Sequence, residues 1–472
     1  MRSGKGSLTL ALSRLQERVQ PARLLAATLA SLLVLAGCSD GAEPTQPPAT
    51  ATSTTSATAT PATPTPETTP FAVTGLRMTG KSDLWMDIAG LVPAEDVRGI
   101  AVTDIARIRE HFGIALPTGR ESIEDLQRAY PEATAFIGVP TLERVDPKLR
   151  EIVVYYAAFG YAWILQQPDP GAGPALGPPP WISGFGICAS QLGGEGVPEG
   201  EICGPTRTYL GFDQRDIDQM ILVNPAPPRQ HGIVLGRIDP AVTTMALKAC
   251  GSCPEAREAE FGGKTYRRWG DDLEGGAAEL RNKPPIFDRF ARGGNLLVEP
   301  GLAVHTLEAS WMDAFIAAQS GTVPKLDEDA GYRAVIEAMG RLNTLSFAAG
   351  SQFGIEEILE RTSGEGLREH LREGGLLQPF SVLATGHGID AEGPYMALAI
   401  AHGSEAVAQA NEPLLLRRLA GAEYHDNTLW ATLIDEVELV REGILLVAKL
   451  RGPVAASWAL WWVGGGHIVV HE

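Results

Sequence analysis

Cysteine is scarce in this chain, five among 472 residues, which excludes a small fold held together mainly by bridges. Basic residues are outnumbered, 39 Lys+Arg against 57 Asp+Glu, for a formal net charge of −18. A nucleic-acid binder or a basic peripheral membrane protein needs the opposite surplus, so neither class fits. Long apolar runs are missing too. The run at 24–36 holds only thirteen uncharged residues, whereas a bilayer-spanning helix needs about 20. The G-x-S-x-G elbow, the S-x-x-K motif and the H-E-x-x-H motif are absent, and no phosphate-cradling loop is expected. Carboxylates are plentiful, but no spacing singles out a catalytic pair. The reading therefore carries no catalytic set, no cofactor and no metal site.

What is present begins with an address. Arg2, Lys5, Arg14, Arg18 and Arg23 form a basic leader, the short apolar run follows, and it closes as Leu35-Ala36-Gly37-Cys38. This order is similar to the signal peptide and lipobox of bacterial lipoproteins. The resemblance covers residues 1–38 and implies cleavage before Cys38, acylation of that cysteine and membrane anchoring on the extracytoplasmic side. Several acyl chains hold stably where one is marginal. Removing 1–37 takes away five bases and one acid, leaving 34 Lys+Arg and 56 Asp+Glu, a net −22.

A tether is expected over 38–70. Residues 41–70 contain eleven Thr, seven Pro and six Ala, with no aromatic and no aliphatic larger than Ala. Such a segment cannot bury enough apolar surface to offset its ordering entropy. It would reach on the order of 30 Å as a coil and roughly 100 Å when stretched.

The remainder reads as an α+β body built from antiparallel sheets with helices. An N-terminal α/β subdomain is expected over 71–180, a central α+β domain over 181–350 and a C-terminal domain over 351–472. The last shows the clearest order. Tyr395–His402 alternates, with Met396, Leu398 and Ile400 on one face. A helix from Ser404 follows, carrying Val407, Ala410 and Leu414, with Pro413 expected to kink or split it. A hairpin turns at Glu442-Gly443 between 436–441 and 444–450. Val454, Trp458, Trp461 and Trp462 fall at helical spacing, and Ile468-Val469-Val470 ends the chain. That β-α-β-β-α-β order predicts a ferredoxin-like module, which the strand 380–384 would extend.

A weaker second copy is expected in the middle of the chain. It comprises the strand 232–238, a helix capped by Asp239-Pro240 with Val242, Met245, Ala246 and Ala249 buried, and a hairpin at Gly262-Gly263. Helices near Leu280 and Phe287 and the strand 295–299 would complete it.

Four cysteines remain in the body: Cys188, Cys203, Cys250 and Cys253. An even number in an exported chain predicts two disulfides, favouring Cys188–Cys203 with Cys250–Cys253 local. The CxxC spacing also fits thiol redox chemistry, but that needs the first thiol at a helix N-terminus. His402, His467 and His471 would approach one another in the C-terminal fold, with sheet-end packing favoured over metal binding. Asp213, Asp216 and Asp218 read as helix-start residues rather than a calcium loop.

The chain is thus expected to be a non-enzymatic binding or interaction module at the cell envelope. Its partners would be the membrane, through acylated Cys38, and an envelope protein or small ligand. A solute-binding lipoprotein of a transporter and an envelope thiol-redox or hydrolytic enzyme are the alternatives.

Overall fold

The structure, a computed structural model, describes residues 71–158, 210–224, 231–272, 293–351 and 377–457, apart from isolated positions inside those ranges. The chain divides into two units, Met1–Pro70 and Phe71–Glu472, and the first lies outside the described residues. In the second, β1 (Ala72–Gly75) leads to a short helix α1 (Met86–Ala89), then β2 (Gly99–Asp104) and α2 (Ile105–Phe112). Helices α3 (Ile123–Ala129), α4 (Pro131–Ile137) and α5 (Val139–Arg144) follow, then β3 (Ile217–Val223), β4 (His231–Gly236) and α6 (Pro240–Ala249). Next come β5 (Arg257–Phe261), β6 (Lys264–Trp269), β7 (Gly294–Glu299), β8 (Leu302–Thr306), α7 (Ala309–Gln319), α8 (Ala330–Arg341) and β9 (Ser346–Gly350). The last described part is β10 (Phe380–Asp390), β11 (Gly393–His402), α9 (Glu405–Gly421), the short pair β12 (Glu423–His425) and β13 (Thr428–Leu429), β14 (Glu436–Glu442) and β15 (Leu445–Arg451).

Among the described residues, thirteen strands make one mixed sheet in the order β1-β14-β15-β11-β10-β9-β2-β3-β4-β8-β7-β6-β5, with β12 and β13 apart from it. Strands from all three expected subdivisions, 71–180, 181–350 and 351–472, contribute to it. Apart from the parallel β1–β14 pair, its neighbours are antiparallel. The α+β class is therefore correct.

The order is close to a palindrome. From the centre outwards, β2-β3-β4-β8-β7 mirrors β9-β10-β11-β15-β14. Both β3–β4 and β10–β11 carry a register shift near the start of the first strand, at Ile217/Gln219 and at Phe380/Val382. At the seam β2 and β9 are antiparallel, with Ala101 opposite Ala348. Ile100↔Ala349 and Val102↔Phe347 flank that pair, then Gly99↔Gly350 and Thr103↔Ser346. A pseudo-twofold axis thus passes between Ala101 and Ala348, across the sheet.

Each half contains a split β-α-β unit: β11-α9-β14 with β15 between the strands, and β4-α6-β7 with β8 between them. On the far side of β11, where a ferredoxin-like fourth strand would lie, stands β10; on the far side of β4 stands β3. The expected last strand, 468–470, and the Trp458/Trp461/Trp462 stripe lie outside the described residues, as do the helices near Leu280 and Phe287.

Along the central strands both faces of the sheet are buried, which is why those strands read as apolar on both sides. On β11, Met396, Leu398 and Ile400 enter one core with Leu415 and Leu419 of α9. Tyr395, Ala397, Ala399 and Ala401 face the other, where Tyr332, Val335, Ile336 and Met339 of α8 lie. The alanines leave room for that helix. Trp85 is wholly buried in the same core, edge-on to Phe347 with ring centroids 5.4 Å apart, and its indole N–H donates to Thr344 Oγ1 at 3.2 Å.

Several local expectations need correction. Helix α9 passes through Pro413 without a break. Gln409, whose carbonyl loses its helical partner there, is exposed, as is Pro413, so water can serve that group. The buried stripe of α9 is Ala408, Asn411, Leu415 and Leu419, one step from the expected Val407, Ala410 and Leu414. On α6 the N-cap is as expected, Asp239 accepting from the Ala241 N–H at 2.8 Å. Its buried side is Thr243 with Leu247 packed on the core, whereas Val242 and Met245 are exposed. The hairpin partner of β4's unit is β7–β8; β5–β6 is an addition at the edge.

Candidate functional site

Of the residues singled out from sequence, Cys38, Cys188, Cys203, His467 and His471 lie outside the described residues. Cys250 and Cys253 are joined, with Cα atoms 5.4 Å apart. Cys250 caps the C-terminal end of α6. A helix C-terminus carries partial negative charge and disfavours a thiolate, the reverse of what a redox cysteine needs. His402 is buried at the end of β11, its Nδ1 donating to Ile444 O at 3.0 Å, and burial lowers its pKa.

Asp218 does not start a helix. It lies on β3, within an ion network at one end of the sheet. Arg109 of α2, mostly buried, bonds the Asp218 carboxylate and donates to Tyr155 Oη at 3.2 Å and Ile217 O at 2.9 Å. Arg215 holds Asp213 through Nε at 2.9 Å. Glu151 accepts from the N–H groups of Thr118 and Gly119 at 2.7 and 2.8 Å. Each charge has a partner, so the network reads as a clasp between α2 and the sheet.

The expectation that the chain holds no phosphate-loop motif needs correction at one place. Gly75-Leu76-Arg77-Met78-Thr79-Gly80-Lys81-Ser82 has phosphate-loop spacing. Such a loop must point free backbone N–H groups into a concavity at a helix start. Here the Leu76 N–H donates to Leu439 O at 3.0 Å and the Gly80 N–H to Arg341 O at 2.7 Å. A Cβ at Gly80 would lie 2.5 Å from Gly340 O, so that backbone is packed against α8. Only a 3-10 turn, Ser82–Trp85, and the four-residue α1 follow. The spacing is met without the cradle.

The most distinctive buried polar group lies across β7, β8 and β4. Asn295 is opposite Thr306, and Thr306 is opposite His231, on the face that packs against α7. His231 and Trp311 stack with ring centroids 4.2 Å apart and planes 9° apart. His231 Nδ1 is 2.7 Å from Thr306 Oγ1. That oxygen accepts from the Glu308 N–H at 3.1 Å and donates to Glu308 O at 3.1 Å. A hydroxyl has one hydrogen, so the network assigns the His231 proton to Nδ1. Nε2 then faces the Glu308 carboxylate, 3.9 Å away. Asn295 Oδ1 and the Trp311 indole N–H, both buried, have no hydrogen-bond partner.

The pseudo-twofold places a different chemistry at the equivalent position. Glu438 pairs with Lys449 at the same distance from its hairpin turn. Lys449 Nζ is 2.6 Å from Asp390 and 3.3 Å from Glu438, and Arg451 joins them, 2.8 Å from Asp390. Burial alone would raise the Asp390 carboxyl, but bonds to Arg451 and Lys449 hold it well below the usual range. The C-terminal position is filled by its own ion pairs. The N-terminal one packs an imidazole beside a carboxylate, with the Asn295 carbonyl oxygen and the Trp311 indole N–H buried without hydrogen bonds. No local spacing announces it, because its members come from separate hairpins.

Among the described residues, no group of three or more His, Cys, Asp or Glu is arranged to hold a metal ion. No helix there is long and apolar enough to cross a membrane. No family model, curated protein or solved structure matches the chain.

Proposed function

We propose that the chain is a lipid-anchored extracytoplasmic protein of a bacterial cell envelope whose body acts by binding rather than by catalysis. The observation that carries this reading is the uninterrupted order of basic leader, thirteen-residue apolar run, Leu35-Ala36-Gly37-Cys38 and Thr/Pro-rich tether. The start of the second unit at Phe71, where the tether composition ends, supports it. The acidic, duplicated sheet then serves as a rigid platform facing a partner protein or small ligand. The split β-α-β of each half supports a ferredoxin-like ancestry, with β3 and β10 standing in for the fourth strands.

Mass spectrometry of the mature N-terminus tests the anchor. The expected species starts at an acylated Cys38; an intact Met1 end on membrane-extracted protein would overturn the reading.

A further inference from the structure

An open sheet has two edges, and each edge strand offers unpaired N–H and C=O groups to another chain. Among the described residues the edges are β1 and β5. β1 is four residues long and carries no charge. β5, Arg-Glu-Ala-Glu-Phe, is exposed except at Ala259.

The turn at the tip of β5 fixes which groups are free. Gly262 and Gly263 have φ of 54° and 79°, the two positive values of a type I′ turn. Phe261 and Lys264 then close the hairpin as a hydrogen-bonded pair, and the bonds to β6 alternate back through Ala259 and Arg257. The N–H and C=O groups of Glu258 and Glu260 therefore point away from β6, into the open side. Both side chains share one face, where Glu258 meets Arg267 at 3.1 Å.

This charge pattern selects the occupant. A twofold pairing of β5 with β5 of a second copy would set these glutamates opposite each other, and like charges across a ladder are destabilising. A strand with Lys or Arg at alternate positions meets both glutamates and the open backbone together. Among the described residues the β5–β6 hairpin has no counterpart in the other half, where β1 alone lies beyond β14 and β12–β13 stands apart from the sheet.

We propose that β5 is a docking edge for an extended segment of a partner protein with alternating basic residues, which joins the sheet beside β5 as a further strand. This rests on the binding role proposed above and specifies the partner.

The test uses the full chain in detergent and a fluorescein-labelled peptide, Thr-Lys-Val-Lys-Val-Lys-Thr, read by anisotropy and hydrogen exchange. Binding should protect the segment 255–269. A peptide of equal charge with proline in place of valine, unable to form the ladder, should bind at least about tenfold more weakly. Glu260→Pro removes one outward N–H and leaves the bonds to β6, and should lose a similar factor. Should that variant misfold, the double substitution Glu258→Lys with Glu260→Lys should show the same loss. Equal binding of the prolyl peptide, protection elsewhere, self-association through this edge or no binding would each overturn the proposal. Any of these beside an acylated Cys38 would refute the docking edge and leave the anchor standing.

Discussion

Acidification should weaken this protein through one buried imidazole. His387 lies on β10 between Ser346 of β9 and Met396 of β11. Burial, with the nearby His111 second, lowers its pKa to about 3. In the unfolded chain the same group titrates near 6.5. A folded pKa below the unfolded one means the unfolded state takes up the proton first, so stability is full above about pH 6.5 and falls as the pH drops toward 3. Between about pH 7 and pH 5 this single group costs about 2 kcal/mol. That figure hardly changes for any folded value below about 4, because the native imidazole is then neutral throughout the window. The assay is urea unfolding of the wild type and of His387→Gln at several pH values across that range. Only the difference in pH dependence is used, so a constant cost of the substitution cancels, as do the titrations both proteins share. The wild type should lose about 2 kcal/mol more than the variant. Parallel profiles, or a wild type that gains on the variant as the pH falls, would refute the argument.

Trp85→Ala removes a fully buried side chain from the core beneath α8 and should cost about 3–5 kcal/mol in the same assay. Asp329 accepts from the Tyr332 N–H at 2.9 Å at the start of α8; Asp329→Ala should cost about 1 kcal/mol, and Asp329→Ser clearly less. The Cys250–Cys253 bond closes so short a loop that chain entropy credits it with no more than about 2 kcal/mol. The double change to serine should leave the protein folded, and its collapse would show that the bond does more than staple the end of α6.

Much of the local structure was legible. The alternation over 395–402 and the cap at Asp239-Pro240 each predict an element from adjacent residues and are found, and the turn expected at Glu442-Gly443 lies one residue on, at Gly443-Ile444. β8 was not legible because Pro300-Gly301 follows a strand already assigned, and the five residues of the return strand carry little signal of their own. β3 is masked by the aspartates around its start: Asp213 does cap a turn, accepting from the Arg215 N–H ahead of the 3-10 turn Gln214–Asp216, whereas Asp218 lies on the strand and binds Arg109. The buried faces of α6 and α9 differ from the expected ones for another reason. Several apolar stripes fit one helix, and the sheet beneath decides which is buried. The polar row of Asn295, Thr306 and His231 had no local signature, since Thr306 and His231 are 75 residues apart. The phosphate-loop spacing at Gly75–Ser82 shows the converse, a pattern present without the backbone geometry that gives it meaning.

The seam at Ala101 and Ala348 bears on how the chain reaches this state. Contacts across the join are remote in sequence: Trp85 meets Thr344 across 259 residues, and Thr74 meets Glu436 across 362. Neither can form until the chain between has been made, so closure of the centre and of the β1 edge belongs to the late steps of a slow, high-contact-order reaction. During vectorial synthesis the first half completes its hairpins with β2 still an open border. The unfinished molecule thus carries an adhesive rim that its own second half must reach before any stranger does.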